Sequence, residues 1–386
     1  MQLLTKSRRE IMKKRGLLLL ALTLSLLPGT GSLALASDTI KIGLYLPMTG
    51  GVAAYGEMEW AGIQIARDME PQVLGKKIDL VLLDTKSDKI EATNAMTLLV
   101  EKEKVAGIIG EAISGNTMAG NRISEAAGIP SVSPSATSVL VNQGKKFAFR
   151  ACFIDPLQGE VAARFAVNNL KAKSAAVIID NAQDYCVGLA KFFETEFVKL
   201  GGKVLSKTYI QTGDQDFSAQ LSSVQAVKPD IIYAPNYYTE DALLAKQARD
   251  LGIVCPILTG DGAQADTLIQ VGGKAVEDMY FTAHFHKDAA TTDRAAEFMK
   301  RYKEKHNKEA DAFQALGADA YFLLVDAVRR AGSTDGARVR DALASTKDFK
   351  GVSGTITMGE EGNPIKSMVI LKVANGKFVY VTTINP

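Results

Sequence analysis

From Ile40 onward the chain alternates short runs of apolar, often β-branched residues with amphipathic stretches of helical period, and it runs through this alternation twice. Strands are expected over residues 40–46, 78–84, 105–110, 129–133, 175–180, 203–209, 230–234 and 256–259. Helices are expected over 57–69, 91–102, 158–170, 188–200, 217–226 and 241–251. Several strand runs, such as Val81-Leu82-Leu83 and Val177-Ile178-Ile179, are apolar without interruption. A strand with no polar face must be covered on both sides, the condition of a parallel sheet flanked by helices. The fold class that follows is α/β, with two doubly wound α/β lobes. The rhythm breaks near residues 149–156, where Ile154-Asp155-Pro156 enters the second series.

The last third does not continue the alternation. Residues 293–305, 312–331 and 339–345 read as helices, and 355–357, 368–373 and 378–382 as strands. The last two strands flank Ala374-Asn375-Gly376-Lys377, whose turn residues predict a hairpin. These late elements must complete sheets begun earlier, so the chain crosses between lobes more than once and creates a hinge with a cleft. The expected division is 37–153 plus 284–350 for the first lobe and 154–283 plus 351–386 for the second.

The first 36 residues read as an address. Lys6, Arg8, Arg9, Lys13, Lys14 and Arg15 form a positive segment, residues 17–27 an apolar core, and Ala34-Leu35-Ala36 a small-x-small cleavage site. That core is short of the roughly 20 residues that span a bilayer as a helix. The pattern predicts an exported protein cleaved near Ala36. Ser7-Arg8-Arg9-Glu10-Ile11-Met12-Lys13 also fits a twin-arginine signal, so the general and twin-arginine routes both remain open. Removing a segment with six basic residues and one acidic residue turns the balance of 45 basic and 43 acidic into 39 and 42. A slightly acidic surface without a basic run argues against nucleic acid as a partner. All three cysteines, Cys152, Cys186 and Cys255, lie beyond the cleavage site, and an odd number leaves at least one thiol unpaired.

In open α/β sheets ligands sit at the carboxyl ends of strands, so the strand-to-helix turns carry the functional argument. The 105–110 strand is followed by Glu111-Ala112-Ile113-Ser114-Gly115-Asn116-Thr117, with Ser114 placed as an N-cap. The first-turn N–H groups of the helix beyond make an anion site. The next strand ends in Ser133-Pro134-Ser135-Ala136-Thr137-Ser138, a hydroxyl-rich loop that could donate to the same anion. In the second series the turns are Asp180-Asn181-Ala182-Gln183-Asp184-Tyr185, then Pro235-Asn236-Tyr237-Tyr238-Thr239-Glu240, then Thr259-Gly260-Asp261-Gly262. Tyr185 and Tyr237 could supply apolar walls with polar tips, and Asp261 could pair with an ammonium. Neutral donors on one lobe and a carboxylate on the other match the two ends of an amino-acid zwitterion.

Catalytic alternatives find little support. No G-x-S-x-G, P-loop or H-E-x-x-H occurs, and none of the three histidines lies near a plausible nucleophile. His284 and His286 would share a strand face, but a metal site needs three or four ligands, so a hinge feature is the expectation. Gly260-Asp261-Gly262-Ala263-Gln264-Ala265 fits G-x-G-x-x-A only superficially and lacks the acidic partner at the right distance. Neither an enzymatic activity nor a cofactor is expected.

The chain resembles the branched-chain-amino-acid-binding family of periplasmic solute receptors, the type I periplasmic-binding or "Venus flytrap" proteins that feed ABC transporters. The resemblance runs from Ile40 to the final hairpin. It rests on Ile40-Lys41-Ile42-Gly43, Met48-Thr49-Gly50-Gly51 and Ala54-Tyr55-Gly56, on Asp180 through Tyr185 to Gly188-Leu189-Ala190, and on Tyr237 and Glu240 with Gln247-Ala248-Arg249 and Gly260-Asp261-Gly262. It implies two lobes on a three-segment hinge, an amino-acid ligand, permease subunits as partners and a monomer. It places the ligand carboxylate on Ser114, Ser135 (through its backbone) and Thr137, the ammonium on Tyr237 and Asp261, and Tyr55 and Tyr185 beside the ligand, with Tyr55 toward the side-chain pocket. Family members that bind leucine, isoleucine and valine often carry Glu where Asp261 stands, which draws the charge back by roughly 1.5 Å. Ile113 stands where the family's first-lobe disulfide would place a cysteine. An amide, urea or aromatic carboxylate ligand, or a sensory rather than a transport role, remains compatible with this pattern.

Overall fold

The computed structural model describes residues 39–385, and the export signal read over 1–36 lies outside the described residues. The first sheet contains β1 (Thr39–Leu46), β2 (Gln72–Val73), β3 (Lys76–Asp84), β4 (Gly107–Gly110), β5 (Ser131–Ser133) and β6 (Ala148–Arg150), in the order β2-β3-β1-β4-β5-β6. Its strands are parallel except for β2, with Ile42 opposite both Leu80 and Gly107. Leu44 and Ile109 are fully buried, as the uninterrupted apolar runs require. Helices α1 (Ala53–Met69), α2 (Lys89–Thr97) and α3 (Ser114–Ala127) connect the strands. Helix α1 begins four residues before the expected start at 57, which puts Tyr55 in its first turn.

The second lobe repeats the construction with β7 (Ser174–Asp180), β8 (Lys203–Ile210), β9 (Ile231–Tyr233), β10 (Ile257–Thr259) and β11 (Tyr280–Ala283). Its helices are α4 (Asp155–Asn168), α5 (Asp184–Lys199), α6 (Ser218–Val227), α7 (Tyr238–Asp250) and α8 (Asp266–Gly272). Strand β11 had no counterpart in the sequence expectation, because its four residues are too few and too mixed to show a period.

Three late helices follow: α9 (Asp293–His306), α10 (Ala312–Ala331) and α11 (Gly336–Ala344). Helix α10 lies against α1 at a close crossing, where a Cβ on Gly62 would collide with the Gln314 carbonyl and one on Gly317 with the Glu59 carbonyl. Short strands β12 (Phe349–Lys350), β13 (Thr355–Met358) and β14 (Pro364–Ile365) make a small sheet. The hairpin β15 (Met368–Ala374) and β16 (Lys377–Ile384) then joins the second sheet antiparallel to β11. Its turn has Asn375 and Gly376 both at positive φ, the geometry suited to the twist of a two-residue hairpin.

The boundary drawn at 351 needs correction. Val352, Ile356 and Met358 are buried in the same apolar cluster as Ile42, Leu44, Leu316 and Leu324, so β12–β14 extend the first lobe. Asp319 on α10 anchors this segment by accepting from the Val352 and Ser353 amides at 2.5 and 2.8 Å. The chain returns to the second lobe at 366–368. The three crossings are tied together: Phe153 of the first stacks on His284 of the second at 3.7 Å, and Lys366 of the third donates to the Ala151 carbonyl at 3.3 Å.

Candidate functional site

Because each lobe is doubly wound, the turns after β1, β4 and β5 share one edge of the first sheet, and those after β7, β9 and β10 share one edge of the second. The two edges face each other. Tyr55, Ser114, Ser135, Thr137, Tyr185, Tyr237 and Asp261, all expected from the sequence, line one cavity together with Ala112, Gly262 and Phe313. The cavity they enclose is small, about 20 Å³.

The lobes meet around it. The Tyr55 hydroxyl donates across the cleft to the Gly262 carbonyl, and the Tyr238 hydroxyl donates to the Gly51 carbonyl at 3.3 Å. Val52, Tyr55, Ala112, Ile113 and Phe313 belong to the same apolar cluster as the second-lobe core, so the two lobes pack against each other around the cavity. At the rim Lys89 lies 3.7 Å from Asp184.

On the first-lobe side Ser114 is the first residue of α3, and the N-cap is Ile113, which makes no side-chain capping bond. This corrects the expectation of Ser114 as N-cap: its Oγ accepts from the Ser138 amide at 3.2 Å and so joins the two donor loops. The Ser135 hydroxyl donates to Glu59 Oε1 at 2.6 Å. Burial holds the Glu59 carboxyl well above its ordinary range, against the pull of Ser135. Burial also lifts Glu111 to about 7, although Thr85 and the Ile113 amide bond to it. Asp155, whose Oδ1 accepts from the Gln158 side-chain amide at 3.4 Å and whose backbone N–H donates to the Thr137 carbonyl, is raised by burial to about 7.

On the second-lobe side Asp261 is buried and is the one acid lining the cavity. Its Oδ1 accepts from the Tyr185 hydroxyl at 2.9 Å, and its Oδ2 lies 2.9 Å from His284 Nε2. The Asp261 amide donates to Gln158 Oε1 at 2.9 Å. Tyr185 stacks on Tyr237 with ring centres 5.5 Å apart, and Tyr55 stacks on Phe313 at 4.4 Å. Burial raises all three tyrosines well above their ordinary pKa, so they remain neutral donors.

Sequence reasoning missed Phe313, which sits in a helix that reads as pure core. It also gave no reason to link His284 to Asp261. The sequence Gly260-Asp261-Gly262 forms part of a tight turn over Asp261–Ala263 rather than opening a long helix, so the superficial dinucleotide pattern has no phosphate-binding context. His284 and His286 follow β11 at the second crossing, and among the described residues no group of three or more His, Cys, Asp or Glu side chains is placed to hold a metal.

Two doubly wound lobes on three crossing segments, closed over a cavity lined from both sides, define a hinged two-lobed binding protein. Comparison with known proteins narrows this further. The chain belongs to the periplasmic binding protein family, whose model matches residues 39–377. It is 30% identical over 364 residues to the Leu/Ile/Val-binding protein BraC3 of Rhizobium johnstonii, covering 93% of this chain and 98% of that one. Among solved structures it is similar to the leucine-binding protein LivK of Thermotoga maritima, with 49% identity, a TM-score of 0.89 and coverage of 90% of this chain and 99% of the other. It is also similar to the branched-chain amino acid transporter substrate-binding protein LivJ of Streptococcus pneumoniae in complex with isoleucine, with 33% identity, a TM-score of 0.85 and coverage of 90% and 100%.

Proposed function

We propose that this chain is the extracytoplasmic receptor of an ABC importer, and that it captures an apolar, branched-chain amino acid between its lobes and delivers it to the membrane permease. The observation that carries the reading is the polarity of the cavity: hydroxyl groups and a helix N-terminus on the first lobe, and one buried acid on the second. The relatives named as Leu/Ile/Val-binding and leucine-binding, and the one solved with isoleucine, support the same ligand class.

In this reading the ligand carboxylate sits at the start of α3, where unpaired first-turn amides favour an anion, with Ser114 and Thr137 donating from the side. The Ser135 hydroxyl is engaged by Glu59, so Ser135 meets the ligand through its backbone. The ammonium goes to Asp261 and Tyr237. The apolar side chain lies against Tyr55 and Phe313. Closure removes water from these charge-assisted bonds and strengthens them, and the closed shape is what the permease recognises. The protein works as a monomer, exported to the periplasm after cleavage near Ala36.

Calorimetric titration with leucine, isoleucine, valine, urea, a simple amide and benzoate tests the assignment. The branched-chain amino acids bind and the others do not. Tight binding of benzoate or urea with no response to leucine would replace the ligand class.

A further inference from the structure

We propose that His284 is the positioning residue that holds Asp261 as a correctly aimed acceptor, and that it thereby sets the receptor's requirement for an amine on its ligand; the inference rests on the amino-acid reading above. His284 leaves β11 at the second hinge crossing and is buried, with Nε2 2.9 Å from Asp261 Oδ2. Phe153 stacks on its ring at 3.7 Å with the planes 26° apart, so the imidazole cannot swing away.

The hydrogen positions follow from the partners. In the amino-acid reading Asp261 acts as an acceptor toward the ammonium, so the nitrogen facing it carries the hydrogen. The other nitrogen, Nδ1, is buried without a hydrogen-bond partner. An imidazolium would bury an N–H there with no acceptor, whereas the neutral ring leaves only a lone pair. Burial, and after it the charge of Lys366, push His284 below its ordinary pKa, with Asp261 pulling the other way. The ring is therefore a neutral Nε2–H donor.

That choice of donor has a consequence for the ligand. A lysine or arginine in this place would neutralise Asp261 in advance and compete with the ammonium, and an apolar residue would leave one carboxylate oxygen unheld. The neutral imidazole holds Oδ2, the Tyr185 hydroxyl holds Oδ1 at 2.9 Å, and Gln158 holds the backbone amide. Each oxygen keeps a further lone pair for N–H groups of the ligand.

The test compares His284→Phe, which keeps the ring stack and removes the donor, with His284→Gln, which restores an N–H at similar reach. The probes are L-leucine and 4-methylpentanoate, the same skeleton without its amine. His284→Phe weakens leucine by about tenfold or more, the scale of a hydrogen bond to a charged group, with little change for 4-methylpentanoate, and His284→Gln recovers most of the loss. Equal weakening of both probes, or unchanged leucine binding in His284→Phe, overturns the inference while leaving the amino-acid reading intact. A wild-type protein that does not distinguish the two probes overturns both. Nitrogen-15 NMR of the unmodified protein checks the same point without a variant: His284 shows the neutral Nε2–H tautomer, and a charged ring or an Nδ1–H tautomer overturns the assignment.

Discussion

Asp261→Asn isolates the charge at the centre of the site, because the amide keeps the volume of the acid. Asp261 is 4% exposed and both its carboxylate oxygens face donors at 2.9 Å, Tyr185 Oη and His284 Nε2. An amide presents one acceptor and one donor to them: its oxygen can still accept from His284, and its NH2 faces the Tyr185 hydroxyl, which can accept once it turns its hydrogen away. The reverse orientation would require His284 to move its hydrogen to Nδ1, which has no acceptor. In Asp261→Asn a bound ammonium would then lie in a cavity with no negative charge among the lining residues. Removing one member of a buried, hydrogen-bonded charge pair costs about 2–5 kcal/mol, so leucine binding weakens by about 30-fold to several thousandfold. The deaminated analogue behaves oppositely: in the wild type it leaves Asp261 unpaired, and in Asp261→Asn that penalty disappears. Titration calorimetry of both proteins with both ligands gives the pair energy as the difference of differences. A leucine affinity within threefold of wild type, or equal losses for the two ligands, refutes the placement of the ammonium at Asp261.

The same structure constrains three further measurements. Tyr55→Phe removes the hydrogen bond to the Gly262 carbonyl that spans the lobes. A bond of this kind contributes about 0.5–1.5 kcal/mol, so affinity falls about two- to twelvefold and small-angle scattering at fixed leucine shows a larger open fraction; an unchanged affinity refutes the role in closure. Gly317→Ala forces a Cβ against the Glu59 carbonyl. Overpacking of this sort costs about 1–3 kcal/mol, read as a thermal midpoint lowered by several degrees, and an unaltered midpoint shows that α1 and α10 can part freely. Burial raises Glu111 from 4.5 to about 7 and Asp155 from 3.8 to about 7, so the folded state keeps protons that the unfolded chain releases. Their stabilising contribution is complete below about pH 4 and is lost as pH rises to about 7. Glu111→Gln therefore gains on wild type as pH increases, by roughly 3 kcal/mol at most, and urea unfolding at pH 5 and pH 7 that shows parallel behaviour refutes the burial argument.

What the chain reveals before folding depends on whether a residue obeys a local rule. Uninterrupted apolar runs mark β4 and β7 because parallel strands hide both faces, whereas the run in β3 is only half-buried. Six of the lining residues follow from one topological fact: every strand-to-helix turn of a doubly wound lobe reaches the same edge, so donors at Ser114, Ser135 and Thr137 and the acid at Asp261 converge without any motif joining them, whereas Tyr55 came only from the family resemblance. Residues that act from behind obey no such rule. Phe313 enters through α10, whose apolar pattern is that of core. Gln158 and Glu59 sit within helices, and their side chains matter only because of what lies across a gap: the Asp261 amide for one and the Ser135 hydroxyl for the other. The third crossing was misplaced for a related reason: β12 and β14 are two residues each, and their allegiance is decided by Asp319 on a distant helix. His284 combines both difficulties, since its value as a histidine lies in a neutral N–H aimed at a side chain on another turn. The groups that line the cavity were thus legible, and the groups packed behind them emerge only from the folded structure.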